Sequence, residues 1–98
     1  MDRQLVEQAI QNRKILEFTY HGFLRVVEPH ILGVNRGVTQ VLAYQIGGRS
    51  KSGGIPEWRR FDLHEIKNLV ITNQTFSGPR DAWTGRDSDW DYKIAFVH

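Results

Sequence analysis

Residues 45–61, QIGGRSKSGGIPEWRRF, gather the residue types that recognise anions. Arg49, Lys51, Arg59 and Arg60 stand there against one acid, Glu57, while the whole 98-residue chain has a formal net charge of only +2. Glycines leave backbone N–H groups able to face an anion, and an arginine presents a planar donor fork that matches phosphate or carboxylate. Trp58 adds a flat surface on which a base can stack, and Ser50 and Ser52 add hydroxyls. The segment is not a P-loop. It lacks the terminal Gly-Lys-Ser/Thr, and Ile55-Pro56 and a strand pattern follow where a helix would have to begin. The plain alternative is a hairpin loop that binds nothing.

Other chemistry is poorly represented. The chain has no cysteine, which excludes disulfides, thiolate metal sites and thiol catalysis. His21, His30, His64 and His98 show no metal-ligand spacing. No Ser-His-Asp or paired-carboxylate arrangement stands out, and Ser50 and Ser52 have no base near them in sequence, which suits hydrogen bonding better than nucleophilic attack. The expectation is a protein that is not an enzyme, with no metal and no cofactor. The opening MDRQLVEQ does not read as a signal peptide, and no apolar run reaches membrane-spanning length, so a cytoplasmic location without membrane contact is expected. The Asn73-Gln74-Thr75 sequon carries little weight in that setting. A pI of 9.2 permits nucleic-acid binding without arguing for it, because two excess cations set it.

The elements that must position these residues follow from periodicity. Residues 3–13 place Leu5, Val6, Ala9 and Ile10 on one helical face, with Asp2 as the expected N-cap. The period then becomes two, with Leu16, Phe18 and Tyr20 alternating against Ile15, Glu17 and Thr19. His21-Gly22-Phe23 and Asn35-Arg36-Gly37 read as turns, and residues 24–34 and 38–46 as strands. Pro29 must sit at an edge or a bulge. Residues 57–61 give a fourth strand, Asp62 and Glu65 a capping box around one helical turn, and residues 68–72 a fifth strand. One helix followed by short sequential strands predicts a mainly β fold closed as a small barrel. The tail from residue 77 changes character. Arg80 and Arg86 are outnumbered by Asp81, Asp87, Asp89 and Asp91 before the strand-like YKIAFV of residues 92–97, which either adds an edge strand or docks on a partner.

Taken in order, the helix, the strand closing on Tyr20, then Arg25, Pro29, Val41-Leu42-Ala43-Tyr44 and the run Arg59-x-Phe61-x-Leu63-x-x-Ile66 resemble the WYL domain family over roughly residues 5–76. The resemblance implies a five-stranded Sm-like, SH3-type barrel for residues 1–76, with 77–98 as a tail. It implies a bacterial regulator's sensor domain, one that usually follows a winged helix and here stands alone. The name-giving tripeptide falls at Gln40-Val41-Leu42, where only the leucine is kept, and the basic residue often found before the last isoleucine is replaced by Glu65. The matching ligand positions are Tyr20, Arg25 and Arg59, with Gln45 and the Ser/Gly loop beside them.

The expected ligand contacts are therefore Tyr20, Arg25, Gln45, Arg49, Ser50, Ser52, Trp58, Arg59 and Arg60, arranged for single-stranded nucleic acid or a nucleotide-like anion. Strand parity puts Arg59 on the same side as Phe61 and Leu63, where it needs either Glu28 or Glu57 as a partner or a pocket open to ligand. Arg60, on the other parity, reads as a solvated outer cation. The competing expectation is a protein-interaction module, a homodimer or the partner of a separate regulator, assembled through edge strands.

Overall fold

The computed structural model describes residues 2–50, 53–80 and 90–98. Helix α1 (Asp2–Gln11) buries Val6, Ala9 and Ile10, the apolar face expected from a 3.6-residue repeat. It is shorter than the sequence pattern, and Asp2 lies in its first turn rather than capping it. Arg13, at φ 54°, turns the chain into β1 (Lys14–Tyr20), which buries Leu16, Phe18 and Tyr20. A two-residue turn with positive φ at both His21 (51°) and Gly22 (82°) leads to β2 (Phe23–Asn35). The same device at Arg36 and Gly37 leads to β3 (Val38–Gly48). Such turns match the twist of the strands they join. Then come β4 (Glu57–Asp62), a 3-10 turn (Leu63–Glu65), β5 (Lys67–Thr75) and β6 (Tyr92–Phe96).

All pairings are antiparallel, in the order β4-β3-β2-β1-β5, with β6 also paired to β2. Strand β2 is long enough to hold two partners on one edge: β1 along residues 23–27 and β6 along 31–34. Pro29 falls between those two ladders, where its missing N–H costs nothing, and next to a bulge that leaves His30 as the extra residue. The bulge shifts the inward parity from Arg25 and Val27 to Leu32. The tail strand is thus part of the sheet, and Val97 behind it is buried in the same core as α1.

The mainly β architecture with an N-terminal helix matches the sequence pattern, but the five-stranded barrel needs correction. The sheet has six strands and is not closed, since no ladder joins β4 to β5 among the described residues. The 3-10 turn interrupts the path where a closing ladder would run, and side chains bridge the gap instead. The Tyr20 hydroxyl accepts a hydrogen bond from the Asp62 N–H (3.0 Å), and the Phe61 ring packs edge-on against Phe18 and Tyr20 at 5.0 and 4.9 Å. The expected capping box is absent as well: the Asp62 side chain makes no cap bond and accepts instead from Gln40 Nε2 at 2.7 Å.

Candidate anion-binding site

A cavity of about 620 Å³ opens where the end strand β4 approaches the β1–β2 turn. It is lined by Tyr20, His21, Arg25, Ser50, Trp58, Arg59, Arg60 and Phe61. Four consecutive β4 residues reach it because an end strand exposes its edge, so side chains of both parities border one space. Six of the nine expected ligand contacts meet there. Gln45 and Arg49 do not line it, and Ser52 lies outside the described residues.

Arg25 forms the floor. It is only 5% exposed, and its guanidinium carbon lies 5.6 to 5.7 Å from the ring centroids of Tyr20, Phe23 and Phe61. Its donors go to Gln45 Oε1 (3.2 Å) and the Tyr20 carbonyl (3.1 Å), and its Nε is buried without an acceptor. No described carboxylate pairs with it. Burial, and then the charge of Arg59, pull its pKa below the ordinary guanidinium value. A guanidinium still stays charged in proteins, so Arg25 is a buried cation held by neutral groups. The close approach of β2 and β3 here depends on Gly48, opposite Arg25: a Cβ at Gly48 would run into the Leu24 carbonyl, and its φ of +81° suits glycine.

Gln45 is fully buried and works as a tether. While its oxygen holds Arg25, its Nε2 donates to the carbonyls of Gly47 (3.0 Å) and Arg49 (3.1 Å), fixing the start of the Gly/Ser loop. Arg59 forms the opposite wall. Its Nη2 reaches Glu57 Oε1 (3.0 Å), Ser50 Oγ (2.8 Å) and the Gly53 carbonyl (2.6 Å). Of the two acids expected as partners, Glu57 takes the role, and Glu28 pairs with Arg80 instead. Arg60 is not a solvated outer cation: it lies 4.2 Å over the Trp90 ring and donates to Gln40 Oε1 (3.2 Å). Trp58 packs edge-on against His30 (4.7 Å) and Tyr44 (5.3 Å), and its Nε1 is buried without an acceptor. Arg49 is exposed and borders a separate shallow cavity with Phe23 and Ile55.

At the rim, the Tyr20 hydroxyl donates to Glu65 Oε2 (3.4 Å). Burial, more than the neighbouring Asp62 and Glu65 carboxylates, raises its pKa, so it stays a neutral donor. His21, absent from the sequence-derived set, stacks on the Tyr20 ring at 4.1 Å and bonds Glu65 Oε1 at 3.0 Å. Its position before Gly22 marks a turn, and nothing in its spacing signals a pocket. Asp62, His64 and Glu65 bring three ligand-type atoms within 4.8 Å of one another, but Asp62 and Glu65 already accept hydrogen bonds from Gln40, Tyr20 and His21. Comparison of the chain with family models, curated proteins and solved structures finds no match.

Proposed function

We propose that this chain is a non-enzymatic, WYL-like sensing domain that binds an anionic ligand, single-stranded nucleic acid or a nucleotide, in bacterial transcription regulation in the cytoplasm. The observation that carries this reading is Arg25, a buried cation with no described carboxylate partner on the floor of an open cavity walled by Arg59. A buried charge without a counter-ion is costly, and an arriving anion relieves that cost. The strand order β4-β3-β2-β1-β5 behind an N-terminal helix also favours the resemblance, because it is the order of a five-stranded meander barrel left open between its ends. Arg25 and Arg59 would hold the anion, and Trp58 and the His21–Tyr20 stack would offer flat surfaces beside it.

The test is a fluorescence-anisotropy titration of short labelled single-stranded DNA and its RNA equivalent, at low and physiological salt. Saturable binding that weakens with salt is the expected result. Absence of binding at both salts would remove nucleic acid as the ligand. The interaction-module reading keeps one specific support, since β4 and β5 each have a single neighbour in the sheet among the described residues. The tail strand β6 joins the sheet through β2, the edge-strand alternative of the two that the sequence left open. Mass by light scattering distinguishes the two readings.

A further inference from the structure

Resting on that reading, we infer that the group this cavity takes is a terminal phosphomonoester, the phosphorylated end of a strand or of a mononucleotide, rather than a phosphodiester inside a strand. The first reason is access. Arg25 is 5% exposed and has aromatic rings of Tyr20, Phe23 and Phe61 around its guanidinium. Only a pendant group reaches such a floor. A diester carries a sugar on each side of its phosphorus and has two free oxygens, whereas a monoester has one attachment and three free oxygens.

The second reason is the balance of donors and acceptors. The acceptors that touch Arg25 and Arg59 are already engaged. The Tyr20 carbonyl and Gln45 Oε1 take Arg25, and Ser50 Oγ accepts from Arg59 while donating to the Gly53 carbonyl. The Tyr20 hydroxyl bonds Asp62 and Glu65. Donors remain: Arg25 Nε and Trp58 Nε1 are buried without acceptors, on two residues that line the same cavity. Two guanidiniums on one cavity, with two donors lacking acceptors, suit the group that brings most acceptor oxygens and most negative charge. For a monoester that charge is about −1.5 to −2 at neutral pH. The His21 ring, 58% exposed and stacked on Tyr20, stands at the rim where the base next to such a phosphate would lie.

The experiment is an anisotropy competition on the full chain, with a labelled, 5′-phosphorylated pentathymidylate as probe. The competitors are pentathymidylates with a 5′-hydroxyl, a 5′-phosphate or a 3′-phosphate, and thymidine monophosphate. The phosphorylated pentamers are expected to bind about tenfold tighter than the 5′-hydroxyl form, the effect of one added charge-assisted contact. Thymidine monophosphate competing as well as the phosphorylated pentamer would assign the site to mononucleotides, and its failure to compete would assign it to strand ends. Arg25→Lys, which keeps the charge and loses the fork, is expected to abolish the preference. Arg59→Gln gives the same readout should Arg25→Lys melt early. Equal binding of all pentamers would overturn the terminal phosphate while leaving an anion site in place. Binding of none would overturn both.

Discussion

Arg59 lines the cavity, and His30 is buried against Trp58 and Phe76. Arg59→Ala removes one wall of the cavity and three hydrogen bonds to Glu57, Ser50 and Gly53. These bonds are partly exposed, so a stability loss of about 1–2 kcal/mol is expected by urea denaturation, with anion binding weakened by more than tenfold. A variant that unfolds outright would make Arg59 purely structural. His30 is fully buried, its Nδ1 donating to the Glu28 carbonyl (2.8 Å) and its Nε2 accepting from the Arg80 N–H (3.3 Å). Burial first, and the charge of Arg80 after it, lower its pKa below 6.5, against the raising effect of Glu28. The unfolded chain therefore takes up a proton that the folded one refuses, and stability is lost as pH falls from about 6.5 through the lowered value. Urea midpoints at pH 7.5, 6.0 and 5.0 should fall in that order, with a shallower fall in His30→Phe. An identical slope in the variant would shift the effect to other groups. Part of the candidate site is legible at this scale. Composition singles out the Gly/Ser loop with Arg59, whereas strand parity separates Arg59 from Trp58 and Arg60, which border the same space. Gln45 as a tether and His21 at the rim were not legible, because both roles depend on contacts made across strands.

Between elements, the decisive joint lies where β4 meets the 3-10 turn. A ladder would have closed the barrel there; the sequence signals a strand, a helical turn and a strand, but no local pattern reports whether two distant edges meet. The joint depends on the Tyr20 hydroxyl, which takes the Asp62 N–H and donates to Glu65. Tyr20→Phe keeps the ring against Phe61 and removes both bonds, so a loss of about 1 kcal/mol is expected, with faster amide exchange at Asp62 as the local readout. Unchanged exchange would show that the Asp62 N–H does not depend on the hydroxyl. The seat of β6 is equally specific. At Gly33 a Cβ would stand 2.7 Å from the Tyr92 carbonyl oxygen and 2.8 Å from Trp90 Cε3. Gly33→Val should therefore push β6 and Trp90 off β2, at about 1–3 kcal/mol, with loss of exchange protection confined to residues 92–96. Protection equal to that of the parent chain would mean that β6 is not held there. The residue types of 92–97 read as a strand, whereas its berth beside β2 requires the space that Gly33 and the end of β1 leave, which no local pattern reports.

For the molecule as a whole, the question is whether residues 1–76 suffice, as the family resemblance implies, or whether the tail completes the fold. Two features favour completion. Val97 is buried with the α1 face, and Ile94 and Ala95 pack against the same core. Glu28, 6% exposed, is neutralised by Arg80 through two bonds of 2.6 and 3.0 Å, which raise the Arg80 pKa. Removing residues 77–98 takes away the apolar burial and leaves Glu28 without its partner Arg80. The first loss is worth about 2–3 kcal/mol and the second, screened because the Arg80 side chain is 44% exposed, about 1–2 kcal/mol. A domain of this size has only about 5–15 kcal/mol in total. A chain ending at residue 76 should therefore melt about 20 °C lower, or fail to fold, in a thermal denaturation followed by circular dichroism. Arg80→Ala separates the two contributions, because it leaves β6 and Val97 in place. If it alone reproduces most of the loss, the ion pair dominates. If it costs little, the strand and its core residue do. A truncated chain that melts with its parent would make residues 1–76 the self-sufficient unit and the tail an addition to it.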